Sequence, residues 1–348
     1  AGIIEPGHFR FSVLGEEILR LAPRLGYVHK GTEKLFEHLG NAERLKLAER
    51  ISGDSSFHHA LAFAQAVETM AGTEIPERAR MLRTVFAELE RMANHFNDIA
   101  FIMLDTGLSF GGSHGTRLRE RGMQWNERLT GSRFLRGTVA LGGVTKDIAK
   151  EIAEELQDDL ETLEKDFMEV MDVVRESDSL ENRLRGTGRL DQQIGRDHGA
   201  VGIAARAIGE AIDARSDYPY AAYDMIEWSV PTEVTGDVRA RFQVRVKEVF
   251  QSFRILNQIL TLLPHREGAI RADLAKLPAD AHAVGIVEGW RGDIAYFVMT
   301  DQDGEISRVK VRDPSFLNWQ VFPYVVTNDI VQDFPLINKS FNLSYTGN

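Results

Sequence analysis

The chain has 348 residues, 43% of them apolar and 27% charged, with a formal net charge of −11 and no cysteine. This is the balance of a soluble globular chain long enough for one large domain or two ordinary ones, and its acidic excess argues against a nucleic-acid surface, which needs clustered Lys and Arg. Without thiols, disulfides, iron–sulfur clusters on this chain and cysteine-type zinc sites are excluded.

The first elements read as strands. Pro6-Gly7 marks a bend, Phe9, Phe11 and Val13 alternate with Arg10 and Ser12, Gly15-Glu16 supplies a turn, and Ile18 to Leu21 returns. Pro76 opens the clearest helix at its first position, followed by a stripe of Leu82, Val85, Phe86, Leu89, Met92, Phe96, Ile99 and Met103. A second long helix starts at Thr145 and carries Ile148, Ile152, Leu156, Leu160, Leu163, Phe167, Met171 and Val174, with an acidic outer face that reads as solvated surface. A third covers roughly Gly236 to Leu263.

Near the end the period returns to two. Ala283–Val287, Ile294–Val298 and Ile306–Val311 read as an antiparallel meander with turns at Gly292-Asp293 and Asp303-Gly304. The expected class is α+β, mainly α: a long-helix bundle with small antiparallel sheets near both ends. Neither a repeat nor a low-complexity linker forces a domain cut. The expectation is one domain, β-rich over 1–40, helical over 41–265 and α/β over 266–348. No apolar run reaches membrane-span length, and no basic-plus-apolar leader is present. The start on Ala1 and the loop-like end read as a piece or processed form of something longer.

Four features carry candidate chemistry. Ser52-Gly53-Asp54-Ser55-Ser56-Phe57-His58-His59 runs into a helix, where Ser55 or Ser56 is a good N-cap and the helix end attracts anionic groups; the plain reading is a capped helix with half-exposed histidines. Glu33 falls in the first turn of a short helix, and a role as proton carrier requires its burial near a redox centre. Glu88, Arg91 and His95 share one helix face, an ordinary salt-bridged surface unless the helix is central, in which case the line becomes a buried network against another subunit. Arg291 lies in a tight turn and matters only if that turn faces a cleft.

None of these is specific alone, but their order is. Arg24 to Leu35, Glu49 to His59, Glu88 to His95, Val287 to Asp293 and the terminal Asp333 to Asn348 together resemble the large subunit of membrane-bound, energy-converting nickel–iron hydrogenases of the formate hydrogenlyase type. That family is homologous to the quinone-site subunit of respiratory complex I, and the resemblance covers the whole chain. It implies that the positions of the four metal-binding cysteines fall on Ser52, Ser55, Ser344 and Gly347, with Asn342-Leu343 in place of the usual Asp-Pro. A hydroxyl is a poor ligand for a soft metal and glycine offers none, so no nickel is expected.

By the same resemblance, Glu33 matches the glutamate implicated in proton transfer, Arg291 the arginine overhanging the metal, and Arg50 a residue near the terminal iron–sulfur cluster of the partner. In complex I a tyrosine of the corresponding loop binds the quinone head group; here that place is Gly53, and His8 lies in the region of an assisting histidine. The implied protein is a peripheral subunit on the cytoplasmic side of the inner membrane. It packs against an iron–sulfur small subunit and the membrane subunits of an ion-translocating complex, with quinone as a possible acceptor and no tightly bound cofactor of its own. Asp54, His58 and His59 are then available to bind the acceptor, and His59 to relay protons. Two other readings stand beside it: a non-catalytic scaffold, and a new zinc or iron site of Asp54, His58, His59 and Glu33. No glycine-rich phosphate loop follows a strand, so NAD binding has no sequence support.

Overall fold

The computed structural model describes residues 5–346. An N-terminal hairpin, β1 (His8–Leu14) and β2 (Glu17–Arg24), leads into the short helices α1 (Thr32–Phe36) and α2 (Asn41–Ala48). Three helices follow, α3 (Ser56–Ala71), α4 (Glu77–Asp105) and α5 (Ser109–Thr130). A minimal pair, β3 (Val139–Ala140) and β4 (Gly143–Val144), precedes the long α6 (Lys150–Arg175) and four short helices, α7 (Asp178–Leu184), α8 (Gln192–Asp197), α9 (Gly202–Arg206) and α10 (Ala214–Asp217). Helix α11 (Val238–Leu262) returns through the bundle. The meander β5 (His282–Glu288), β6 (Asp293–Thr300) and β7 (Ile306–Arg312) follows, then α12 (Pro314–Val325) and α13 (Phe334–Phe341). Every sheet is antiparallel, so the α+β, mainly α expectation holds.

Three boundaries differ from the sequence reading, each for a local reason. Pro76 is the N-cap of α4 with extended backbone, one place before the first helical residue. Helix α6 begins at Lys150 instead of Thr145, because the Thr145 hydroxyl donates back to Gly137 O (2.7 Å) and Asp147 accepts from Ile148 N (2.8 Å), which holds the segment out of the helix. Helix α5 was not anticipated, since Gly111, Gly112, Gly115 and Gly122 weaken its propensity. Those glycines have a packing reason: a Cβ on Gly115 meets Ala100 Cβ at 2.8 Å, and one on Gly112 meets Leu104 at 2.3 Å, so α5 lies close against α4.

Helix α4 is the axis of the molecule. Its residues from Met81 to Ala100 are buried on every face, between α5, α11 and the edge of α3. A helix enclosed all round must bury polar residues as well as its apolar stripe, and those residues need partners. One apolar cluster continues from Ile18 in the hairpin, through the bundle, to Leu343. The C-terminal sheet lies on α3, and the fit is tight at Gly285, where a Cβ comes within 2.1 Å of Ala62 O and 2.7 Å of Ala66 N. Gly285→Ala therefore forces β5 off α3, with an expected loss of about 1–3 kcal/mol in urea-unfolding free energy.

Candidate functional site

The turn from β5 to β6 builds the centre. Gly289 and Gly292 exchange backbone hydrogen bonds (2.8 and 3.1 Å), and Gly292 has a φ of 145° with Gly202 Cα 3.1 Å from where a Cβ would sit. Only glycine meets both demands. The closed turn aims Arg291 inward, where it is 3% exposed with its guanidinium 3.9 Å above the Trp290 ring.

Arg291 gathers two segments far apart in sequence. Its terminal nitrogens donate to both oxygens of Asp54 (2.9 and 2.7 Å) and to Ser52 Oγ (3.3 Å), while Nε donates to the carbonyl of Asn342. Ser52 Oγ donates to Asp54 Oδ1 (2.7 Å), and the Asp54 carbonyl accepts from Asn94 (2.9 Å) and Trp290 Nε1 (3.2 Å). Asn342 caps α13 in the left-handed region and donates to Asp98 (2.7 Å), itself paired with Arg245 (2.9 Å). Burial alone raises the Asp54 carboxyl, but the Arg291 charge beside it prevails and holds it well below the usual carboxylate range.

The two histidines differ from the half-exposed expectation: both are fully buried. Glu90 of α4 supplies the anion that the N-terminus of α3 attracts, accepting from Phe57 N (2.8 Å) and His58 N (3.2 Å) and pairing with His58 Nδ1. The N-cap Ser55 has no capping side-chain bond, and the Ser56 hydroxyl bonds Gly53 O (3.0 Å). Burial lowers the His58 pKa below its ordinary value, against the raising effect of Glu90. His59 joins Tyr296 OH (3.0 Å) to Asp313 (3.2 Å), the N-cap of α12.

The other sequence candidates lie further out. Ser344 is held by Ser315 Oγ, Trp319 Nε1 and Glu5, while Gly347 lies outside the described residues. Glu33 is half-buried and bonds Lys310 and the backbone N–H of Val311 on β7, with no direct bond to Arg291. Arg50 is exposed in the turn after α2, and His8 is exposed at the start of β1. Asp54, His58, His59 and Glu33 thus have different partners, and no metal-holding group of three or more His, Asp or Glu side chains occurs among the described residues.

A second polar network lies behind the turn. Glu88, Arg91 and His95 form it, as their shared face foretold, but their partners belong to this same chain. Arg91 donates to the Glu288 and Gly289 carbonyls (2.5 and 3.2 Å), fixing the base of the Arg291 turn. Burial opposes ionisation of Glu88, yet Arg215 and Arg91 hold its pKa down at about 2. The sequence reading missed Glu90, Asp98, Asp313, Arg206, Arg215 and Glu248. A signal existed for the last: Arg241, Arg245 and Glu248 interrupt a helix otherwise apolar on that side.

The chain matches the family described as respiratory-chain NADH dehydrogenase, 49 Kd subunit, over residues 105–281 and 273–347. It is 34% identical to formate hydrogenlyase subunit 5 of Escherichia coli over 98% of this chain and 60% of that protein. It is also 32% identical to NADH-quinone oxidoreductase subunit 4 of Thermus thermophilus, over 94% of this chain and 86% of the relative. Among solved structures, a chain of the membrane-bound sulfane sulfur reductase, an archaeal respiratory membrane complex, superposes with a TM-score of 0.92 at 27% identity, covering 99% of this chain and 95% of that one. The protein belongs to the 49 Kd subunit family, and it spans about 60% of the length of the Escherichia coli relative.

Arg291→Ala takes from buried Asp54 the guanidinium that engages both its oxygens, and thermal or urea unfolding at pH 7 should show a loss of about 3–5 kcal/mol. The depressed Asp54 pKa fixes the sign of the pH dependence: its contribution is present above the unfolded value of roughly 3.9 and is lost as pH falls toward the folded one. The gap between wild type and Asp54→Asn, measured by chemical denaturation from pH 7 downward, should therefore narrow below about pH 4.

Proposed function

We propose that the protein is a peripheral subunit of a complex-I-like, membrane-bound oxidoreductase assembly. It accepts electrons from an iron–sulfur small subunit and delivers them to quinone or another small acceptor, coupled to ion translocation. The observation that carries this reading is Arg291, a buried cation that joins the Ser52–Asp54 loop to the Asn342 backbone. These are the segments that hold the reacting centre in the resembled subunits.

A nickel–iron centre does not fit the residues present. The hydroxyl of Ser52 is committed to Asp54, that of Ser344 to Glu5, and an ion pair stands between the two segments. Neither hydroxyl replaces a thiolate toward a soft metal. Electron delivery in this reading uses no metal on this chain, and the acceptor reaches the site from the face shared with the small subunit, near Arg50. The sulfane sulfur named for the structural neighbour widens the class of small acceptors beyond quinone. No helix among the described residues is long and apolar enough to cross a membrane.

One observation favours the scaffold reading instead. Asp54, His59 and Arg291 have their polar groups engaged within the chain, so acceptor binding at those three requires breaking a bond already made. The two readings separate in the purified complex. Arg291→Lys keeps a cation but not the planar fork, and under the leading reading it lowers the rate of acceptor reduction at least tenfold while the complex stays assembled. Glu33→Gln should slow ion translocation more than electron transfer. Unchanged rates in both variants favour the scaffold.

A further inference from the structure

The buried network behind the Arg291 turn does not balance its charges. Arg91, Arg206 and Arg215 are the cations and Glu88, Asp213, Glu248 and Glu288 the carboxylates, all 0–1% exposed. Nearby Arg245 is cancelled by Asp98. With every group ionised and His95 neutral, one negative charge is in excess among fully buried side chains, where an uncompensated charge is expensive.

His95 does not hold the balancing proton. Its Nε2 faces Glu248 (2.8 Å), whereas Nδ1 is buried without a partner. A neutral ring leaves a bare acceptor there; a charged ring buries an unpartnered N–H, the costlier choice. Burial accordingly lowers its pKa.

The carboxylates are not equally served by donors. Glu88 accepts from Arg215 (3.0 Å), Tyr223 (2.6 Å) and Ser252 (2.6 Å). Glu248 accepts from Arg206 (2.8 Å), His95 (2.8 Å) and Arg91 (3.3 Å). Asp213 takes the Arg215 backbone N–H and two nitrogens of its guanidinium (2.9, 3.0 and 2.7 Å). Glu288 has only Arg206 Nη1 (2.7 Å) and Ala214 N (3.1 Å), and that same Nη1 also faces Asp213 at 3.5 Å. The two hydrogens of that nitrogen also serve the Ile212 carbonyl (3.0 Å), and two carboxylates drawing on one nitrogen so committed do not both ionise readily. Tyr220, whose hydroxyl accepts from Glu288 N (3.0 Å), is among the residues lining a cleft of about 420 Å³ between α3, α4 and β5.

We propose that Glu288 is a proton store: it carries the one exchangeable proton of this network at neutral pH, beneath the turn that presents Arg291. Burial and the neighbouring Asp213 push its carboxyl in the same direction, upward. On the functional reading above, negative charge arriving at the site tightens the hold on this proton and positive charge loosens it, because the store is linked to Arg291 through a four-residue turn. Proton binding itself needs no electron transfer, so failure of the store and failure of that reading are separable.

The test is carboxyl spectroscopy on the full chain. With 13C-carboxyl glutamate, the wild type at pH 7 should show a protonated glutamate resonance that disappears in Glu288→Gln and persists in Glu49→Gln. Because glutamine imitates the protonated acid, Glu288→Gln should melt within a few degrees of wild type, whereas Glu248→Gln should melt far lower. The raised pKa sets the sign: stability is full at low pH and is lost as pH rises through the folded value, so wild type weakens relative to Glu288→Gln in that direction. A wild type with no protonated glutamate at pH 7 overturns the proposal whatever the variants do, as does a resonance that survives Glu288→Gln.

Discussion

The structure depends on burying charge, and the Arg291–Asp54 pair is where that constraint is tightest. A guanidinium out of water costs several kcal/mol unless its fork is fully engaged. Here both terminal nitrogens meet one carboxylate, Nε meets a backbone carbonyl, and the Trp290 face covers the cation. The pair fixes two chain segments, nearly 290 residues apart in sequence, against one turn. Removing either partner takes the opposite charge from the other, so the position of the loop, the turn and the C-terminal segment is one cooperative choice.

The same rule explains the centre of the bundle. Helix α4 is enclosed on all sides, and its polar residues reach α3, α10, α11 and the sheet in place of water. Arg91 binds carbonyls at the base of the Arg291 turn, Glu90 caps α3, and Asp98 receives Asn342. Structural and site residues are therefore hard to separate. A side chain that satisfies a buried helix end also decides where His58 points.

The resemblance to nickel–iron and quinone-site subunits and the geometry of this chain meet at one place and part at another. The fold follows the family. The space between the loops is occupied by an internal ion pair, and the histidines that looked available are buried and bonded. Acceptor chemistry, in the proposed reading, works by opening this arrangement from the partner-facing side.

Periodicity alone disclosed the hairpin, the meander and the three long apolar stripes, because each is a local alternation or a 3.6-residue repeat readable in one window. It also disclosed that Glu88, Arg91 and His95 share a face. It did not disclose α5, whose glycines suit a close helix contact with α4 and suppress the local signal. Nor did it disclose the depth of His58 and His59, or that Asp54 is answered by a residue 237 positions later. Those facts depend on which surfaces the bundle encloses, and burial is a property of the assembled layers. The order of the motifs determined the family and marked Arg291 and Asp54 for attention; only the tertiary structure decided that they hold each other, because a charge withdrawn from water must take whatever partner the fold brings within reach.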